Sequence, residues 1–125
     1  MQGAKTLARG SGPVDAAAEA LELSLHFEGL AHPTRLKIIE RLAGAVEVRV
    51  SELAEFCHVS QPRMSWHLRI LRRSHVIQTR RDGREVFCRL DRDAIAAHLR
   101  SFLLLLGAAA GKDAIDLQLV KEVTK

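Results

Sequence analysis

The sequence is short of most features that mark a secreted scaffold, a membrane protein or an enzyme. Its 125 residues hold two cysteines, Cys57 and Cys88. That number makes no disulfide framework in a chain of this size, and reduced thiols are the expectation. The longest purely apolar run, residues 102–106 with a small-residue continuation, falls well short of the roughly 20 residues that cross a bilayer. The opening MQGAKTLARGSGP lacks a continuous apolar core of the secretory type, so a cytoplasmic protein is expected. There is no phosphate-cradling glycine loop, no pairing of nucleophile with base and no set of carboxylates suited to acid–base work, which makes an enzyme the least favoured class. Internal repeats and low-complexity tracts are missing too.

What is present is positive charge in one place. Residues 60–92, SQPRMSWHLRILRRSHVIQTRRDGREVFCRLDR, hold nine arginines against Asp82, Glu85 and Asp91, a net +6 in a chain of net +4. Everything else therefore sums to −2. The stretch opens with Met64, Leu68 and Leu71 at helical spacing, then turns strand-like around Asp82-Gly83, a strong hairpin signal. A basic helix beside a basic ribbon suits a polyanion, and the pI near 9.6 agrees.

The chain as a whole, 47% hydrophobic, reads as one mainly helical domain. Residues 1–13, rich in glycine, are expected to form a flexible arm. Asp15 is the expected N-cap of a helix with Leu21 and Leu25 on one face and Leu23, Phe27 and Leu30 on another, so it has two surfaces to cover. Pro33 opens a second helix with Leu36, Ile39 and Leu42 inward and Gly44 at its end. Residues 45–50 permit a short strand, and Ser51 is the expected cap of a third helix carrying Leu53, Ala54 and Cys57 inward. A turn through His58 and Ser60 leads straight into the basic helix, the pattern of a helix-turn-helix. Asp91 is the expected cap of a last, leucine-rich helix. Glycine breaks at 107 and 111 then lead to a short helical tail over residues 112–125.

On the basic helix, Ser65, Trp66, Arg69 and Arg73 fall opposite the apolar stripe, with His67 at its edge. Gln61 and Arg63 near the N-terminus can reach base edges in a major groove, and Ser60 as N-cap leaves backbone N–H groups for a phosphate. Arg80, Arg81 and Arg84 cluster at the hairpin tip, within reach of the DNA backbone.

The segments LAHPTRLKIIERLA, SELAEFCHVSQPRMSWHLRILRRSHVI and RRDGREVFCRL resemble the winged-helix repressors of the ArsR/SmtB family, over about residues 20–106. The resemblance implies a winged helix-turn-helix of five to six helices with a small β-hairpin, spanning residues 14–111. It also implies a homodimer joined through its first and last helices, and repression by binding a double-stranded operator until a metal ion, metalloid or other signal releases it. Ser60, Gln61, Ser65 and Trp66 match base-contacting positions, His67 matches a family histidine, and residues 81–84 match the wing tip. Trp66 stands where the family often has a polar or basic residue.

The family's two usual metal sites are not matched. One needs a cysteine pair where residues 47–53 have none; the other falls on Arg92, Ala94, Leu104 and Gly107, of which leucine cannot coordinate zinc. The remaining metal candidates are a His26/His98 site between subunits, completed by Glu22 or Glu28, and a thiol or soft-metal site using Cys57, His58 or Cys88. Small buried hydrophobes are the plainer reading of both cysteines. The alternative to an operator-binding protein is a winged-helix module whose arginines grip an acidic protein partner.

Overall fold

The computed structural model describes residues 13–110, with side chains for 16–107. Helix α1 spans Pro13–Leu30, α2 Pro33–Ala43, β1 Val48–Arg49, α3 Val50–Cys57, α4 Gln61–Arg73, β2 Ile77–Asp82, β3 Glu85–Leu90 and α5 Arg92–Ala110. The expected arm, apart from Pro13, and the expected tail lie outside the described residues.

The boundaries follow local chemistry, and several differ from expectation. Helix α1 begins at Pro13 and carries Asp15 inside its first turn; a proline is well suited to open a helix because its missing N–H would have no partner there. His32 caps α2, its Nδ1 accepting from the Thr34 N–H at 3.1 Å. The buried face of α2 is Arg35, Ile38 and Leu42, whereas Leu36 is exposed and Ile39 half-buried. Helix α3 starts one residue before Ser51, with Arg49 in the cap position and the Glu52 carboxylate accepting from the Arg49 N–H. Helix α5 passes through Gly107 without a break, since one glycine among leucine and alanine costs only about 1 kcal/mol of helix propensity.

The three strands form an antiparallel sheet in the order β1-β3-β2. Val48 pairs with Cys88, and the β2–β3 ribbon closes on Asp82 opposite Glu85. The two turn residues are therefore Gly83 and Arg84, one position later than the Asp-Gly reading. Gly83 has φ +67° and Arg84 is not left-handed, the pattern of a type II′ turn with glycine in its first central position.

The core gathers Ile38, Leu42, Leu53, Met64, Leu71 and Val76, all buried, with Val48, Ile77 and Cys88 under the sheet. Helix α1 lies against the end of α4 at a separation only glycine allows: a Cβ on Gly29 would sit 2.7 Å from Ser74 Cβ. One turn earlier, buried His26 donates from Nδ1 to the Ser74 carbonyl at 2.9 Å. The C-terminal end of α4 is thus seated directly on α1. Leucines 21 and 25 of α1 and leucines 104–106 of α5 remain exposed, up to 60% at Leu21. No helix among the described residues is long and apolar enough to cross a membrane.

Candidate nucleic-acid interface

Two local devices set α4 in place. His58, in the left-handed region at φ 58°, ends α3 and turns the chain sharply. Ser60 then caps α4, its hydroxyl accepting from the Arg63 N–H at 3.2 Å. Met64, Leu68 and Leu71 hold the inward face, as their spacing predicts, and Gln61, Arg63, Ser65, Trp66, Arg69 and Arg73 are all exposed.

Helix and wing enclose a cleft of about 500 Å³. Gln61, Ser65, Arg69 and Arg72 line it from α4, Thr79, Arg81 and Arg84 from the wing, and Ser51 from α3. Four arginines from the helix and the wing thus line one space, and Glu85 is the one carboxylate-bearing residue in its lining. Hydroxyl, amide and guanidinium groups are suited to phosphate oxygens and base edges alike. Arg72, Thr79 and Ser51 are additions to the residues the sequence singled out. Arg72 donates to the Thr79 hydroxyl at 3.4 Å, which ties the helix to the wing.

Arg80, expected beside Arg81, is on the other face of the ribbon because consecutive strand residues point to opposite sides. Its Nε and Nη2 donate to the two Glu47 oxygens at 2.7 and 2.8 Å, and its guanidinium lies 4.5 Å from the Phe87 ring centroid. The Arg80 hydrogen bond holds the Glu47 carboxyl below its ordinary range. Arg80 therefore fastens the wing to the β1 approach and is not one of the cleft's free charges.

His67, expected at the edge of the apolar stripe to fix packing or touch the DNA backbone, is fully buried. Its Nδ1 lies 3.2 Å from Nη1 of Arg35, which is itself only 5% exposed and donates to the carbonyls of Gly29 at 2.9 Å and Glu28 at 3.2 Å. A guanidinium only donates, so His67 Nδ1 accepts and Nε2 carries the proton. One arginine thereby joins the end of α1 to the middle of α4. Burial, helped by the nearby His32, Arg35 and Arg63 charges, pushes the His67 pKa down from 6.5 to about 4. Burial also lowers His26.

A depressed histidine pKa means that the unfolded chain takes up protons the native one refuses, so stability is lost as pH falls below 6.5 toward 4. The urea midpoint should fall between about pH 6.5 and about 5, above the carboxylate range, and His67→Gln should reduce that slope. A midpoint constant over this interval would contradict a buried neutral His67.

The proposed effector residues also have definite places. His26 and His98 stack within one chain, centroids 4.1 Å apart and 11° from parallel, and the Nδ1 of His98 donates to the Ala94 carbonyl at 2.7 Å. Cys57 and Cys88 are buried free thiols. Burial raises both thiol pKa values, that of Cys88 to about 11, so neither is a thiolate at neutral pH. His58 is exposed at the α3 end. Among the described residues no three histidine, cysteine or carboxylate groups come together as a metal site.

A short helix, a tight turn, a basic second helix and a β-ribbon beside it define a winged helix-turn-helix module. A family model described as a helix-turn-helix domain matches residues 30–80. The HTH-type transcriptional repressor SmtB of Mycobacterium tuberculosis (strain CDC 1551 / Oshkosh) is 39% identical over 102 residues, 82% of this chain and 67% of that protein. A crystal structure of an ArsR family transcriptional regulator superimposes with TM-score 0.62 at 28% identity, covering 68% of this chain and 86% of that one. The solution structure of a homodimeric winged helix-turn-helix DNA-binding domain from Mycobacterium bovis has the same fold, with TM-score 0.63 at 21% identity over 80% of this chain and 92% of that one. The chain belongs to the ArsR/SmtB family.

Proposed function

We propose that this chain is a dimeric transcriptional repressor that grips a pseudo-palindromic operator with one α4 helix and one wing per subunit. The cleft that unites Gln61, Ser65, Arg69 and Arg72 with Arg81 and Arg84 carries this reading. An α-helix fits the major groove, and a basic ribbon beside it reaches the adjoining backbone. The exposed leucines of α1 and α5 supply the apolar face that a second copy would cover. Placing helices from two subunits in successive major grooves requires such a pairing. No catalytic step enters this activity, and the cytoplasm is where operator DNA would be met. Of the family's two usual metal-ligand sets, one lacks its cysteine pair at residues 47–53 and the other falls on Arg92, Ala94, Leu104 and Gly107, so neither would hold a metal that releases the operator.

The test is a gel shift with DNA flanking the chain's own gene against scrambled duplex. A specific complex is expected, and Gln61→Ala should cost roughly 1–3 kcal/mol on the true operator while leaving scrambled duplex nearly unaffected. Equal weakening on every sequence would take Gln61 out of base recognition. Binding to neither DNA would favour the acidic-protein reading.

A further inference from the structure

Trp66 is the one large apolar group on the outward stripe of α4. Helical periodicity places it with Pro62, Arg69 and Arg73, directly opposite Met64 and Leu71. It is 43% exposed, yet its surroundings hold it. The Arg35 guanidinium lies 5.7 Å from its ring centroid and that of Arg63 5.8 Å, both at cation–π distance. The buried His67 ring meets it edge-on at 4.9 Å, and Arg35 in turn holds His67. The indole is thus braced in place, and bracing lowers the entropy lost when a partner binds.

An apolar plate on the outward side of α4, beside the arginine-lined cleft and flanked by Arg63, calls for an apolar feature in the partner. The major groove shows hydrogen-bonding atoms at every base pair, but one hydrophobic group, the C5-methyl of thymine, with the O4 acceptor beside it. An indole offers the matching pair, an apolar ring and a single N–H donor.

We propose that Trp66 is a specificity determinant that reads the C5-methyl of a thymine in each operator half-site. This rests on the operator-binding reading above, and its test separates the two. Duplexes bound by the protein are enriched from a randomised pool, and each thymine of the selected site is then replaced by deoxyuridine, which removes only the methyl. One position per half-site should weaken wild-type binding about fourfold, the equivalent of losing one buried methyl-sized group. In Trp66→Ala, checked for an unchanged urea midpoint, thymine and uracil should bind equally at that position. The proposal is overturned if no thymine-to-uracil change weakens the wild type, which needs no variant to establish. It is overturned equally if Trp66→Ala shows the same loss. Enrichment of no duplex would instead overturn operator binding, and this proposal with it.

Discussion

Arg35→Ala should lower the stability of the fold by about 3 kcal/mol, with one to three kcal/mol expected for each buried polar partner left unsatisfied. The guanidinium serves the Glu28 and Gly29 carbonyls and His67 Nδ1 together. The Glu28 carbonyl is only part-buried and also accepts from the Ala31 N–H, which keeps the sum toward the lower end. Against a typical domain stability of 5–15 kcal/mol the loss is large. Arg35→Lys should recover little of it, because an ammonium on a flexible stem cannot reproduce the planar fork that spans three acceptors. Urea unfolding reads the effect as a lower midpoint at unchanged slope. A midpoint within experimental error of wild type would mean that Arg35 is not the clamp between α1 and α4. Because Arg35 also braces His67 and Trp66, the variant should bind DNA less specifically even at temperatures where it remains folded.

Replacing Arg69, Arg81 and Arg84 together by alanine should reduce DNA affinity roughly a thousandfold, taking about 1.5 kcal/mol for each charge-assisted hydrogen bond. All three are exposed and line the cleft from its two sides, so the urea midpoint should stay near that of wild type. Arg80→Ala is the informative control. Its charge is already answered by Glu47 across a bidentate pair on the other face of the ribbon, so its effect on affinity should be much smaller. If Arg80→Ala were as damaging as the triple change, the wing would meet DNA in a different orientation from the one the cleft defines. Fluorescence anisotropy on a labelled duplex measures both.

The parts of this fold that could be read from sequence are those controlled by neighbours along the chain. Ser60 caps α4 and His32 caps α2 through bonds spanning only two or three residues. The wing is announced by a glycine that must take φ +67°. The inward stripe of α4 follows from helical period alone. The contacts that escaped are long-range and involve charged residues in places usually given to apolar ones. Arg35 holds a core position on α2, and the partner that explains it, His67, is 32 residues away. Reading Leu36, Ile39 and Leu42 as the inward stripe follows hydrophobicity; Leu42 is buried as read, whereas Arg35 and Ile38 are buried in place of Leu36 and Ile39. The i, i+3, i+7 spacing of Arg35, Ile38 and Leu42 was the available signal.

Similarly, Arg80 and Arg81 are indistinguishable as sequence until strand alternation sends one to Glu47, 33 residues distant, and the other into the cleft. Arg72 joins the site only because the wing folds back toward its side of α4. His67 could be recognised as special, but its burial depends on packing from α2 that no local pattern conveys.

Operator binding as proposed makes the arginines of α4 and the wing a surface for the DNA backbone, on which base contacts confer sequence choice. Its most direct test is the affinity of the purified dimer for operator and for scrambled duplex, measured at several salt concentrations. Counterion release predicts a steep linear fall of log affinity with log salt on both duplexes, shallower in the triple arginine variant by close to one unit per phosphate contact removed, with the operator tighter throughout. An affinity indifferent to salt, or a slope that the triple variant leaves unchanged, would mean that these arginines do not meet the DNA backbone.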